Sequence, residues 1–326
     1  MAFAPAQQLT TSAGLQHYPT VWYNRNALDV LRLEFHFREA TEPETVPLGV
    51  GKTVQWFRPT VMAANVAPSA EGVIGNSLTL STTTVSATVQ EFSDFISGST
   101  LLVETDITET ETMHAKELGY RGGLSVDTLV RLEIDSNTGA FTNSSATIAG
   151  TLGATATLQD IRARMADLAA INVKPKMGSD FLVLLHSYVE YDVKADNTAG
   201  GFIDIGKYIA GEKLMDNEIG RIAGARFVRS NNVGTSGSAP NVLYNMYVFG
   251  KGGLGAVTLS GRGPSDITDP TKQNFNVAVI RGGKPAIYDP EGKIGFVASY
   301  RFVFAVKTLD TTNYRYRVIP CDASLV

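Results

Sequence analysis

Only one cysteine, Cys321, stands among 326 residues, which excludes an intrachain disulfide framework and a paired-cysteine metal site. Its expected state is a reduced, inert thiol. Long apolar runs are also missing: the longest, FLVLL at 181–185, falls far short of the roughly 20 residues a spanning helix needs. MAFAPAQQL at the start lacks the basic segment and apolar stretch of a secretory leader. No membrane partner is expected. Lysine and arginine form no run, and a formal net charge of −4 leaves no electrostatic footprint of a duplex-binding protein. The basic residues of RIAGARFVR, 221–229, are spaced like strand residues instead.

The residues that are present describe a folded chain. Apolar residues make up 44% and charged ones 18%, and glycine occupies 31 positions, which implies many turns. The length suits one large domain or two ordinary ones of roughly 100 to 200 residues each.

Within PLGVGKTVQWFRPT, 47–60, the string GVGKT looks like the core of a phosphate-binding loop. That loop needs Gly-x-x-x-x-Gly-Lys-[Ser/Thr] between a buried strand and a helix, so that helix amides and the lysine meet the phosphates. Here the first glycine is replaced by Val46, and TEPETVPL upstream, with Pro43 and Pro47, is a poor buried strand. Downstream, Val54 and Trp56 alternate with polar residues up to Pro59, which predicts a strand and not a helix. GVGKT is therefore read as a turn.

Residues 1–45 form an arm without heptads, mixing Asn, Gln, Thr and Tyr with short apolar runs such as LDVLRLEFHF, 28–37. In 49–90, the Thr/Val-rich flanks TVQWFRPTV and SLTLSTTTVSATVQEF enclose a small-residue stretch, 61–77, and predict a long hairpin. A lone hairpin is marginal in water, so this one must lie on its own domain or on a neighbouring subunit. Residues 101–135 contain no proline and bring Val103, Ile107, Met113, Leu118, Val126, Leu129 and Ile134 round at near-helical spacing. Glu104, Asp106 and Glu109 near the start and Arg131 near the end suit the dipole of one long helix. Gly119, Gly122 and Gly123 predict a bend or break in it, at about 1 kcal/mol each relative to alanine, and DSNTG, 135–139, ends it.

A second helix is predicted from the capping-box-like TLQD, 157–160, through Ile161, Met165, Leu168 and Ala169, stopping before Pro175. A buried strand, DFLVLLHS, follows it. Four further strand-like runs lie at 219–230, 275–283, 293–309 and 313–320. The fold class expected is α+β.

Catalytic signals are weak. Glu111, His114 and Glu117 are three apart on one helical face, but a di-iron bundle needs a second Glu-x-x-His helix, and none exists. GTSGS, 234–238, fails the serine-hydrolase elbow at Ser238, and NNVGTSGSAPN around it reads as a mobile surface loop. Cys321 has no neighbouring base, and KGGLG and RGGK lack the dinucleotide pattern. No catalytic residue, cofactor or metal is assigned, which favours a structural protein over an enzyme.

Four segments carry a resemblance: 89–130 (VQEFSDFISGSTLLVETDITETETMHAKELGYRGGLSVDTLV), 181–196 (FLVLLHSYVEYDVKAD), 201–230 (GFIDIGKYIAGEKLMDNEIGRIAGARFVRS) and 288–309 (YDPEGKIGFVASYRFVFAVKTL). In this order they resemble tailed-phage major capsid proteins, especially the N-four-like subgroup, from about residue 15 to the C terminus. The resemblance implies a Hong Kong 97-type fold. Its parts would be an N-terminal arm (1–45), an extended hairpin loop (46–92) and a peripheral domain with a long spine helix (93–139). An axial domain (140–270) and C-terminal strands returning to the peripheral domain (271–326) would complete it. GVGKT then becomes the turn launching the extended loop, with Lys52 and Thr53 at its base and Trp56, Phe57, Arg58, Glu91 and Phe92 as contacts to a neighbouring subunit.

The implied role is self-assembly through pentamers and hexamers into an icosahedral virion head around double-stranded DNA, without sequence-specific binding, assembled in the host cytoplasm. Implied partners are a portal and a decoration protein. The chain lacks the length and heptads of a fused scaffold, so a separate scaffolding protein is expected. Two departures matter: His186-Ser187 stands where relatives carry His-Pro, and 53–92 contains no lysine, so isopeptide cross-linking is not carried over. Rival readings are an encapsulin-like compartment of the same fold, which nucleic acid inside particles would oppose, and a soluble nucleotide-binding enzyme. The last would lose nucleotide or metal binding in Lys52→Ala or His114→Ala.

Overall fold

The computed structural model describes residues 35–47, 51–68, 71–72, 77–105, 110–141, 155–196, 218–222, 224–238, 241–259, 276–281 and 293–323. Residues 1–34 of the expected arm and 201–217 of the third resembling segment lie outside them. After a 3-10 turn, Phe37–Ala40, the chain enters β1 (Thr41–Val46). This is the TEPETV stretch expected to make a poor buried strand, and it runs instead as a mostly exposed strand along a sheet edge. Only Thr41 and Val46 are buried, and an edge tolerates the N–H that Pro43 lacks.

The flanks of the predicted hairpin form β2 (Thr53–Pro59) and β3 (Thr82–Thr88), paired antiparallel from Thr53 opposite Thr88 to Pro59 opposite Thr82. Gly51 before it has φ +122°, a conformation that a residue with a Cβ rarely adopts. β4 (Gln90–Ser99) then leads into the short α1 (Thr100–Thr105) and the long α2 (Thr110–Ser136). The expected break at the three glycines does not occur: α2 runs through all of them. Gly123 is there for close approach, since a Cβ would lie 2.6 Å from the ring of Phe35. Packing of Leu118, Val130 and Ile134, all buried, offsets the helix propensity that the glycines forfeit. Val103 and Met113, expected on the buried face, are exposed.

α3 (Leu158–Ala170) has the predicted capping box, with the Thr157 side chain accepting from the Asp160 N–H and the Asp160 carboxylate accepting from the Thr157 N–H. β5 (Phe181–Leu185) is buried at every residue. His186 caps the unforeseen α4 (Ser187–Ala195), its Nδ1 accepting from the Tyr188 N–H at 3.2 Å. The run 219–230 is not one strand but a hairpin, β6 (Glu218–Ile222) and β7 (Ala225–Arg229), turning at Gly224. The stretch read as a mobile loop contains β8 (Thr235–Ser238), paired antiparallel with the start of β9 (Asn241–Phe249) from Thr235 opposite Tyr244 to Ser238 opposite Asn241. Then come β10 (Leu254–Leu259), β11 (Asn276–Arg281), β12 (Ile294–Thr308) and β13 (Tyr316–Cys321).

Two larger sheets result. In the first, β12 is the backbone: β4 lies along one side, β11 and β10 lie end to end along the other, and β1 pairs parallel outside β10. The second has the order β13-β9-β5-β7-β6, with β8 on β9. One core joins α2 to both sheets through Leu118, Ile134, Leu184, Tyr247, Phe296 and Phe302. A second core seats α3 and α4 on the opposite face of the second sheet. Alternation along β5 explains its total burial: Leu182 and Leu184 serve the first core, and Phe181, Val183 and Leu185 the second.

Candidate functional site

The hairpin has a fastened root and an unfastened tip. Exposure alternates along β2, with Val54, Trp56 and Arg58 turned toward the body and Thr53, Gln55, Phe57 and Pro59 outward. Val54 and Trp56 pack with Val46, Ala87, Val89 and Val257 in a small third core on the first sheet. The Trp56 ring lies on Gly255, where a Cβ would sit 2.7 Å from it, and Trp56 Nε1–H donates to Glu44 Oε2 at 2.6 Å. Arg58 pairs with Asp310, in the turn between β12 and β13. The N–H of Val89 closes the base by donating to the Lys52 carbonyl at 2.9 Å.

Asp310 is only 5% exposed. Its Oδ1 accepts from the Thr312 and Asn313 N–H groups at 3.1 and 2.9 Å, and Arg315 Nε lies 3.9 Å from Oδ2. Burial by itself raises its pKa, but the Arg58 hydrogen bond and the two backbone donors prevail and hold it below the ordinary carboxylate value.

Past Pro59 the strands stay together through one further residue pair, the Thr60 N–H donating to the Ser81 carbonyl and the Ser81 hydroxyl to the Thr60 hydroxyl, each at 2.9 Å. Every described residue from 60 to 81 is exposed, including Val61 at 92%, Val66 at 91%, Leu78 and Leu80. Phe57 at 68%, and Phe95 and Leu101 on β4 and α1, are also open to solvent. So much large apolar surface on projecting elements marks a surface built to be covered.

Of the five expected contact residues, Phe57 alone is a large exposed apolar side chain. Trp56 and Arg58 have the partners just named, Glu91 pairs with Arg301 at 2.6 Å, and Phe92 stacks on Phe302 with centroids 5.2 Å apart. Sequence reading missed the apolar tip residues; the signal was apolar side chains without periodicity between two strand-like flanks.

Chemistry is not assembled elsewhere among the described residues. No group of three or more His, Cys, Asp or Glu is placed to hold a metal there, and His114 lies against Phe296, centroids 5.8 Å apart. The Glu111 side chain lies outside the described residues. Lys52 is exposed and is followed by β2, not by the helix that a phosphate loop opens. Cys321 is fully buried, which pushes its thiol pKa up and keeps it protonated. No described helix is long and apolar enough to cross a membrane.

No protein-family model matches the chain, and no curated protein sequence does. Solved structures do match. The capsid of cyanophage P-SCSP1u aligns with a TM-score of 0.68 at 12% identity, over 99% of this chain and 100% of that one. That of Ralstonia phage GP4 aligns at 0.70 and 10%, over 98% and 99%. The cyanophage Pam1 capsid aligns at 0.67 and 13%, over 99% and 100%. At such identities the likeness speaks for the fold: this is an α+β chain with the architecture of phage capsid proteins.

Proposed function

We propose that this chain is the major capsid protein of a tailed phage, self-assembling through pentamers and hexamers into the icosahedral head around a double-stranded DNA genome. The observation that carries this reading is that the likeness to capsid chains runs nearly end to end on both sides. It supports a virion location and assigns no enzymatic activity. The exposed apolar tip adds physical support, because side chains such as Val61 and Val66 need a covering surface and a second copy of the chain supplies one. Heterologous contacts of this kind close into a shell when the rotation between copies closes.

In finer terms, we assign the Hong Kong 97-type division: arm 1–45, extended loop 46–92 built on β2 and β3, peripheral domain 93–139 with α2 as the spine, axial domain 140–270, and C-terminal strands 271–326. Phe57 and the tip reach a neighbouring subunit, while Trp56, Arg58, Glu91 and Phe92 set the angle from which the hairpin does so. The narrower placement in the N-four-like subgroup rests on the order of the four sequence segments. Portal, decoration and separate scaffolding proteins are the partners that the resemblance implies for this reading.

Electron microscopy of the purified protein across a concentration series, with light scattering for mass, tests it. Shells, rings or capsomers are expected. A strict monomer at every concentration, with a cognate scaffold supplied, would sink the reading. Particles lacking nucleic acid when isolated from infected cells would redirect it to an enzyme-loading compartment.

A further inference from the structure

Beside the hairpin root lies an open cleft of about 690 Å³, walled by the root itself, the loop after α3, the turn between β9 and β10, and the turn that holds Asp310. Four cations, Arg58, Lys174, Lys251 and Arg315, line it against two carboxylates, Glu42 and Asp310. Both carboxylates are already engaged. Glu42 accepts from Lys176 Nζ at 2.7 Å and from the Gly252 N–H at 3.2 Å, and Asp310 is held by Arg58 and its own turn. Lys174 and Lys251 are exposed and form no close ion pair among the described residues, although the Lys251 charge also helps hold Glu42 ionised. A concave, cation-rich site in a chain of net charge −4 focuses field toward a carboxylate-bearing ligand.

The chain contains a matching segment. From residue 59 to 115 there is no lysine or arginine, and the carboxylates there are Glu71, Glu91, Asp94, Glu104, Asp106, Glu109 and Glu111. Glu91 pairs with Arg301 and Asp94 with Arg121. Four of the others fall within 104–111, the densest acidic stretch of the chain, which begins at the exposed end of α1. We propose that the cleft at the hairpin root is a socket for this acidic segment, 104–111, of a second copy of the chain. Lys174 and Lys251 are its principal contacts. The inference rests on the assembly reading above and names the charge pairing that sets the register between neighbouring copies.

The test is charge reversal and its restoration. K174E/K251E changes two exposed side chains, so the melting temperature of the unassembled protein stays at the wild-type value, while the concentration needed for assembly rises about ten-fold or more. Adding E104K/E109K to the same chain restores assembly, because every copy then carries both reversed partners. In particles built from mixed heavy- and light-isotope chains, carbodiimide joins Lys174 or Lys251 to a carboxylate of 104–111 on a different chain. If the wild type assembles and K174E/K251E assembles equally well, the socket is overturned while the capsid reading stands. If assembly is lost but not restored, and the cross-links fall outside 104–111, another anion occupies the cleft and the assigned occupant is wrong. A wild type that forms no particle under any condition overturns the assembly reading itself.

Discussion

At the scale of single residues, the hairpin owes its placement to a turn far from it in sequence. Asp310→Ala removes the Arg58 pair and frees the N–H groups of Thr312 and Asn313, so unfolding in urea is expected to lose about 2 to 3 kcal/mol. The pH dependence has a definite sign. Asp310 has a folded pKa below its ordinary 3.8, so its stabilising contribution is complete above that value and is lost as pH falls through the lower folded one. Asp310→Asn should therefore flatten the acid side of the stability profile, leaving a smaller loss between about pH 5 and pH 2 than the wild type shows. Asp127 is the opposite case. Burial raises its pKa, against hydrogen bonds from Asn232 and from the Phe37 N–H at 2.8 Å each, so the charged form is held at a cost. It remains because those donors, which fix the 3-10 turn to α2, would otherwise be buried without an acceptor.

At the scale of elements, stability and projection are separable. Thr157→Ala removes half of the α3 capping box and is expected to cost about 1 kcal/mol in urea denaturation. Leu184→Ala opens a cavity where β5 meets the first core and should cost about 2 to 5 kcal/mol. Both changes are large against the roughly 5 to 15 kcal/mol of a typical domain. The hairpin behaves differently along its length. Its root shares a core with the first sheet and every described residue of its tip is exposed, so the tip contributes little to folding of the isolated chain.

At the scale of the whole molecule, that separation yields a test of purpose. Val61→Asp with Val66→Asp alters two side chains that are over nine-tenths exposed, so monomer stability should stay within about 0.5 kcal/mol of wild type. Assembly followed by light scattering should nonetheless be strongly reduced, because the aspartates would have to be desolvated against the neighbouring copy. Equal loss of stability and assembly would mean instead that the tip serves the fold of its own chain.

Features governed by nearby residues were legible from the sequence: the paired flanks of β2 and β3, the capping box at Thr157, the buried run of β5, and the helical spacing that ends at Ser136, while Gly49 and Val50 of the expected GVGKT turn lie outside the described residues. Each depends on patterns repeating within two to four positions, which propensity and periodicity record directly. Tertiary structure decided the rest. β1 is a strand only because β10 lies beside it, with Thr45 bonded to Thr258, 213 positions away. α2 stays helical through its glycines because Leu118, Val130 and Ile134 are buried and Phe35 closes on Gly123, and Arg58 is tied to the body because Asp310 arrives from the turn after β12. Partners so distant leave no local period, and their free energy exceeds the fraction of a kcal/mol per residue by which propensity alone decides an element.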